Sequence, residues 1–451
     1  MALKIGITIA SLLCIVFVAL AIQGPEFFSV TYNVEGVVAG ESQEPLVDET
    51  SEVFEEIVPD EREVISHVPL PTQVKTIYMT SCVAGTPSFR QRLVTLIQET
   101  EINSVIIDVK DYSGTISFPS QSEAWGPAWQ NARCGTRDMQ AFIQMLHDND
   151  IFVIARITVF QDPFYAKMRP DLAVKKLDGV TNWKDNKGLS FIDVAATEYW
   201  DHILDLATDS YNIGFDELNF DYVRYPSDGP MSDISFPHSV AGEYGHDKQA
   251  NLEAFFKYLN EQLDDESRFS MYRHENTGRA SSTPYTSADL FGMTTTNWDD
   301  LSIGQTQERT VPYFDFTAPM VYPSHYPGNY LGLGNPNDHP YQVVNHAMQS
   351  GVNRLQASTT RMQSFTHERI GTSTPAVYKK PVYEATKLRT WIQDFDYGGD
   401  YDAADVRAQI QASYDAGVMS WMIWAPSNIY TKAALLAPGV LEVATTTVVH
   451  E

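Results

Sequence analysis

Residues 214–226 read Gly-Phe-Asp-Glu-Leu-Asn-Phe-Asp-Tyr-Val-Arg-Tyr-Pro, and no other stretch of the 451-residue chain indicates as much about function. Side chains alternate between the two faces of a β-strand, so Glu217, Asn219 and Asp221 share one face. Three polar groups on one face of a buried strand are costly unless they are used or fully paired. In (β/α)8 barrels the active site lies at the C-terminal ends of the strands, where Asp221 would stand. The alternative is an acidic strand end that pairs with Arg224 for structure alone.

A second acidic strand end lies at residues 103–111, which read Asn-Ser-Val-Ile-Ile-Asp-Val-Lys-Asp. Alternation places Ile106, Asp108 and Lys110 on one face of what reads as another buried, parallel strand. Two strands that end in carboxylates on the same barrel face would bring those carboxylates together. Cleavage of a glycosidic bond needs such a pair, one acid to protonate the leaving oxygen and one base or nucleophile.

From residue 71 onward, short apolar and β-branched runs alternate with helical patterns, which is typical of βα units around a parallel sheet. The predicted strands are 74–80, 104–109, 152–158, 215–221, either 269–272 or 287–291, 315–320, 388–393 and 418–424. Eight strands with intervening helices predict a (β/α)8 TIM barrel over residues 71–440. Long loops follow several strands and are expected on the active face: 112–135, 159–195, 225–245 and 323–340.

The N-terminal part has a different character. Lys4 precedes an apolar run over 5–22, which predicts either an uncleaved signal anchor or a signal peptide. Residues 23–70 hold twelve acidic groups and one basic group, a composition that predicts a disordered acidic spacer. Residues 441–451 read as a short tail. We therefore expect a single-pass membrane protein whose C-terminal domain is extracellular, or a secreted protein if the N-terminus is cleaved.

Charge and motif content exclude several classes of protein. The net charge of -27 argues against a nucleic-acid partner, because phosphate binding needs basic patches. Cys82 and Cys134 fall in predicted loops and form either a disulfide or two free thiols. The sequence has no Cys-x-x-Cys, zinc-binding, phosphate-loop or dinucleotide motif, so neither a metal nor a cofactor is predicted.

Taken together, these motifs resemble a bacterial glycoside hydrolase-like family of otherwise unknown function, a TIM-barrel group, over roughly residues 72–435. The resemblance is carried by Val-Lys-Thr-Ile-Tyr-Met-Thr at 74–80, Val-Ile-Ile-Asp-Val-Lys-Asp at 105–111, Ala-Arg-Ile-Thr-Val-Phe-Gln-Asp-Pro at 155–163, Arg-Pro-Asp-Leu-Ala-Val at 169–174, the 214–226 stretch, Pro-Met-Val-Tyr-Pro-Ser-His-Tyr at 319–326, Trp-Ile-Gln-Asp-Phe at 391–395 and Trp-Met-Ile-Trp-Ala-Pro-Ser-Asn at 421–428. It implies a barrel fold and hydrolysis of a glycan.

The 214–226 stretch is also similar to the corresponding strand of chitinases, but it departs where the chemistry matters. Asn219 replaces a middle aspartate, and the acid-donating glutamate is missing, with Val223 and Arg224 nearby instead. That departure argues against a substrate-assisted chitinase mechanism. Any general acid must therefore come from another strand.

Asp221 is the predicted nucleophile or general base, and Asp108 and Asp394 compete for the partner role. Lys110, expected on the Asp108 face, would hold Asp108 ionised. Asp394 stands at a strand end beside Trp391, where partial burial would raise its pKa and suit an acid. The alternative for both is a structural salt bridge, and Glu217 is expected in a deeper polar network.

The remaining candidates are assigned to substrate binding. Arginines could orient carboxylates or bind an acidic sugar, and a tryptophan at a strand end could stack on a sugar face. The predicted substrate-binding residues are Lys110, Arg156, Asn219, Arg224, Tyr322, His325 and Trp424.

Three functions remain open on these residues. The first is a glycoside hydrolase that acts on a cell-surface or extracellular polysaccharide. The second is a non-catalytic glycan-binding barrel of the cell envelope. The third is a structural envelope protein, which would show no saturable glycan binding.

Overall fold

A computed structural model describes residues 60–440. The hydrophobic segment 1–22, the spacer up to residue 59 and the tail 441–451 lie outside the described residues, so the predictions made for them stay predictions. Residues from Glu61 onward belong to one compact unit. Within 60–440, no helix combines the length and the apolar character needed to cross a bilayer.

The described strands include eight that close a parallel barrel. In chain order the strands are β1 (Val64–Ser66), β2 (Lys75–Met79), β3 (Ser104–Lys110), β4 (Phe152–Thr158), β5 (Glu217–Asp221), β6 (Arg273–Glu275), β7 (Tyr285–Phe291), β8 (Phe316–Met320), β9 (Thr359–Thr360), β10 (Glu368–Ile370), β11 (Val377–Lys379), β12 (Thr390–Gln393) and β13 (Trp421–Trp424). The closed barrel runs β2-β3-β4-β5-β7-β8-β12-β13, and β13 returns to β2. The predicted (β/α)8 barrel is thereby confirmed, and its fifth strand is the 287–291 alternative.

Helices surround this barrel and bury one face against it. The α-helices are α1 (Ser81–Ala84), α2 (Pro87–Gln98), α3 (Gly126–Gln130), α4 (Met139–His147), α5 (Pro163–Met168), α6 (Thr197–Asn212), α7 (Pro237–Ala241), α8 (Lys248–Leu263), α9 (Gln307–Thr310), α10 (Pro340–Gln356) and α11 (Ala403–Asp415). Helix α4 shows the pattern, because Met139, Phe142, Ile143 and Leu146 are buried at the i, i+3, i+4, i+7 spacing of an amphipathic helix.

Alternation along the strands separates two cores. Outward side chains such as Leu218 and Phe220 join the large cluster beneath the helices. Inward apolar side chains form a layer below the strand ends, here called the floor, composed of Ile106, Phe152, Ile154 and Met422. Glu217 of β5 is in register with Ile154 of the floor and is paired with Arg389 at 2.6 Å. Further along β3, β4 and β5 the inward positions are polar, with Asp108, Arg156 and Asn219. The floor therefore supports a polar upper half.

The end of the predicted spacer is folded instead. Strand β1 pairs in parallel with β6, and the following His67 contacts Asp216 at 3.2 Å at the start of β5. His147 binds the other oxygen of Asp216 at 3.1 Å. The spacer boundary at residue 70 is wrong, because the short apolar run around Ile65 finds a strand partner that is distant in sequence.

A disulfide joins the segments that follow the first two barrel strands. Cys82 lies in α1 after β2, and Cys134 lies in the long loop after β3, at a sequence separation of 52. Of the two alternatives left open by the sequence, the structure shows the disulfide.

Candidate active site

A cavity of about 210 Å³ opens at the C-terminal end of the barrel. Its walls come from the last residues of the strands and the loops that follow: Arg156, Asp221, Tyr222, Arg224, Asp289, Phe291, Gly292, Met293, Met320, Tyr322, His325, Tyr326, Trp391 and Trp424. Six of the predicted site residues are in this lining, namely Asp221, Arg156, Arg224, Tyr322, His325 and Trp424. The cavity lies at the strand ends, where the sequence placed its candidate site.

Arg156 of β4 is the electrostatic centre of the site. Its Nη1 donates to Asp108 Oδ1 at 2.6 Å, and its Nη2 donates to Asp221 Oδ2. Its Nε lies 3.9 Å from Asp289 Oδ2. One buried guanidinium therefore faces carboxylates from three different strands, β3, β5 and β7.

Asp221 stands at the tip of β5 with both oxygens engaged. Oδ2 accepts from Arg156, and Oδ1 accepts from the backbone N–H of Tyr222 at 2.5 Å. Tyr222 has a positive φ of 51°, which turns the chain sharply just after the strand. The side chain is 3% exposed and borders the cavity, so its carboxylate can meet a bound molecule.

Asp289 is a candidate functional residue that sequence reasoning missed, and it lines the cavity. It sits on the inward face of β7, where its Oδ1 accepts from Asn219 Nδ2 at 3.0 Å and from Trp391 Nε1 at 2.8 Å. Burial first, and then the charge of Asp221, raises the pKa of Asp289 to about 8. A carboxyl group held protonated at neutral pH can act as a general acid. The available signal was the alternation of residues 285–291, which places Asp289 inward with Ser287.

Asp108 lies beneath Arg156 and outside the cavity lining. Its Oδ2 accepts from the Tyr78 hydroxyl, and its Oδ1 from Arg156. Burial raises the pKa of Asp108 to about 6, although the charge of Arg156 opposes the shift. The geometry makes Asp108 a supporting partner of Arg156, not a group that faces the cavity.

Lys110 does not share the face of Asp108, and that expectation is wrong. A register irregularity between Asp108 and Lys110 pairs Lys110 with the outward-facing Ile157. Its Nζ lies 3.0 Å from Asp162 Oδ2 and donates to the Thr158 carbonyl at 2.6 Å, with the side chain fully buried. Substrate contact by Lys110 is excluded by this position.

Asp394 also lies apart from the cavity. Its two oxygens accept from the backbone and hydroxyl of Thr431, at 2.8 and 2.7 Å. Burial raises the pKa of Asp394, as its sequence position suggested, but the carboxyl holds the 428–432 loop. Asn219 is fully buried as well, and it acts on the site through Asp289 and Ser287 instead of through a substrate.

Aromatic side chains form the upper walls. Trp424 stacks on Tyr78 with ring centroids 4.0 Å apart, and the Arg156 guanidinium lies 5.0 Å from its ring. Tyr322 follows β8, and burial together with the charges of Asp289 and Asp221 raises its pKa well above the ordinary value. His325 sits at the rim against Tyr322, with ring centroids 5.3 Å apart. Trp421, three residues before Trp424, faces the outer core as predicted.

Arg224 lies in the cavity wall, two residues after the backbone turn at Tyr222. Its guanidinium lies 4.8 Å from the Tyr222 ring and 5.2 Å from the Phe291 ring. Nη1 donates to the Tyr225 carbonyl and to Ser227 Oγ, each at 3.1 Å. Within residues 60–440, no group of three or more histidine, cysteine or acidic side chains is arranged to hold a metal ion.

The parallel barrel and the carboxylates above its floor are features of glycoside hydrolase-like proteins. Residues 76–430 match the sequence model of the family described as “Putative glycosyl hydrolase domain”. The chain belongs to that family, as the sequence motifs indicated. No curated protein matches the chain.

Two solved structures are similar to this chain. The glycoside hydrolase domain of PgaB (BpsB) from Bordetella bronchiseptica has a TM-score of 0.51 and 12% identity, and the match covers 79% of this chain and 94% of that one. A hypothetical protein from Ruminiclostridium thermocellum ATCC 27405 is 29% identical over 44% of this chain and 95% of its own, with a TM-score of 0.36. At 12% identity, the likeness to the PgaB (BpsB) domain shows the shared barrel fold alone.

Proposed function

We propose that this protein is a glycoside hydrolase that uses Asp221 and Asp289 as its carboxylate pair. The observation that carries the proposal is that the two groups border one cavity in opposite environments. Asp221 is bound to the cation Arg156, whereas burial beside Asp221 raises the pKa of Asp289 to about 8. A carboxylate bound to a cation, beside a carboxyl group whose pKa is raised, is typical of a base or nucleophile and its partner acid.

The roles follow from this division. Asp289 would protonate the leaving glycosidic oxygen, and Asp221 would act as nucleophile or general base at the anomeric carbon. Asp108 and Arg156 would hold the Asp221 carboxylate in place from below. In this proposal Asp289 takes the partner role that the sequence had offered to Asp108 or Asp394.

The cavity size bears on the substrate. A volume of about 210 Å³ is below the roughly 300–1,000 Å³ of ordinary ligand pockets, so it suits one sugar unit of a longer chain. Trp424 and Tyr322 offer aromatic surface for the apolar face of a sugar ring. We propose a cell-surface or extracellular polysaccharide as the substrate.

The disulfide supports a location outside the cytoplasm. Disulfides persist in oxidising compartments and are rare in the cytosol of most organisms. We therefore propose that the domain is exported, with the predicted segment 1–22 as its signal anchor or signal peptide. Alkylation of the protein taken directly from cells should leave Cys82 and Cys134 unmodified unless a reductant is added.

The test of hydrolysis uses the full chain and a panel of bacterial wall and exopolysaccharide glycans, with released reducing ends as the readout. The parent should release sugar, while Asp221→Asn and Asp289→Asn should each lose about 10²- to 10⁴-fold in rate and keep their affinity. Asp148→Asn, an exposed carboxylate at the end of α4, is the matched control and should behave like the parent. Saturable binding of one glycan with no release from any would favour the glycan-binding barrel instead.

A further inference from the structure

Arg224 differs from the other buried arginines of residues 60–440. Four of the five have a carboxylate within 4.0 Å of the guanidinium. Those four are Arg156, Arg309, Arg354 and Arg389. Arg224, which is 9% exposed, forms no such ion pair in the described part of the chain. A buried cation without an anionic partner is costly, so its retention calls for a reason.

The Arg224 guanidinium is held in place by its neighbours, but only some of its hydrogen-bond donors have a partner. Two aromatic rings, of Tyr222 and Phe291, flank it at 4.8 and 5.2 Å. Both of its hydrogen bonds to described residues leave from Nη1. Nε and Nη2, the two donors along the other edge, make none. Neither atom is among the fully enclosed polar atoms that lack a partner, and Arg224 borders the cavity.

Nearby carboxylates do not serve as the ion-pair partner of Arg224. Asp221, Asp228 and Asp185 act on Arg224 electrostatically, but each lies beyond ion-pair distance. Asp221 is already engaged with Arg156 and the Tyr222 backbone. The free edge of Arg224 is therefore directed to something that enters the cavity.

The chemistry of that edge favours a carboxylate. Two parallel N–H groups of a planar guanidinium match the two oxygens of a carboxylate. A phosphate site would be expected to add a lysine or a helix N-terminus, and no lysine borders this cavity. The two flanking rings would pack against the carbon skeleton that carries the acid.

We propose that the substrate is an acidic glycan and that Arg224 binds the carboxylate of a uronic acid unit in this cavity. This inference rests on the proposed glycoside hydrolase function and names its substrate class. A uronic acid differs from its neutral parent sugar only at C6, where a carboxylate replaces a hydroxymethyl group. Arg224 would thus select the acidic member of such a pair.

The first experiment compares matched 4-nitrophenyl glycosides with the full chain. Both anomers of glucuronide and glucoside, and of galacturonide and galactoside, are assayed for kcat/KM. The parent should prefer one uronide over its neutral partner by about 10- to 100-fold, and Arg224→Gln should abolish that preference. Arg224→Lys, which keeps the positive charge without the paired N–H donors of a guanidinium, should retain part of the preference for the uronide. Arg92→Gln, an exposed arginine of α2, should keep the full preference.

The outcomes separate the two proposals. Turnover of a neutral glycoside at least as well as its uronide, unchanged in Arg224→Gln, would overturn the acidic substrate and leave hydrolysis standing. If no glycoside is cleaved, titration calorimetry with glucuronate, galacturonate, glucose and galactose decides the subsite alone. Uronate binding that Arg224→Gln removes, and Asp289→Asn keeps, supports the subsite, whereas absence of uronate binding overturns it. Near-ultraviolet circular dichroism checks that each variant is folded.

Discussion

Trp391 donates a hydrogen bond of 2.8 Å from its indole Nε1 to Oδ1 of Asp289, joining β12 to β7. An indole N–H can only donate, so Oδ1 must be the accepting oxygen. The amide of Asn219 donates to the same oxygen at 3.0 Å. When Asp289 is protonated, its proton therefore resides on Oδ2, and the two neighbours fix which oxygen of the acid can deliver it.

The first prediction concerns the pH profile. With Asp289 as the proposed general acid and a pKa of about 8, kcat/KM should fall as the pH rises through about 8. The Trp391 hydrogen bond lowers the pKa of Asp289, so Trp391→Phe should move this alkaline limb upward by about one pH unit. Trp421→Phe is the matched control, since its indole binds Tyr414 in the outer core. An alkaline limb that stays in place in Trp391→Phe would contradict the assignment.

The second prediction concerns stability. The pKa of Asp289 is raised from 3.8 to about 8, so between these values the folded state binds more protons than the unfolded state. Its contribution to the free energy of unfolding therefore declines as pH rises from about 4 to about 8. Asp289→Asn removes this dependence. Its free energy of unfolding, measured relative to that of the parent, should therefore rise by more than about 1 kcal/mol between pH 5 and pH 8. Urea unfolding at both pH values measures it, and Asp148→Asn should follow the parent.

The third prediction concerns Arg156. Replacing it with methionine leaves Asp108 and Asp221 buried without their cation, which should lower the free energy of unfolding by about 3–5 kcal/mol. Arg169→Met removes exposed ion pairs to Asp171 and Glu198 and should cost less than about 1 kcal/mol. Chemical denaturation of both variants gives the comparison. Equal losses would mean that the central ion pairs are no stronger than surface ones.

The fourth prediction concerns the disulfide. Cys82 and Cys134 close a loop over a separation of 52 residues, which in the chain-entropy view stabilises the fold by about 4 kcal/mol. The double variant Cys82→Ser, Cys134→Ser should lose stability of that order, as measured by urea unfolding without reductant. Reduction of the parent should reproduce the loss. A double variant as stable as the oxidised parent would show that packing alone holds the two segments.

The barrel could be predicted because each of its strands corresponds to a local sequence pattern. Apolar runs such as 152–158 are bounded by helical periodicity and turn residues, and the observed β4 has those bounds. Asp221 could be placed at the cavity for the same reason. Residues whose position depends on neighbouring strands were harder to predict. A register irregularity turns the Lys110 side chain to the outer face of β3. The environment of Asp289 is set by Trp391 and Asp221, which are far away in sequence.

The floor of the barrel has a consequence for turnover. Ile106, Phe152, Ile154 and Met422 are fully or almost fully buried, and they close the barrel below the cavity. No passage leads through the barrel at this level, so under the proposed hydrolysis a released fragment would leave through the same mouth by which the next glycan chain enters. Product and substrate would then compete for one entrance, and accumulated product should slow each further round of the proposed cleavage.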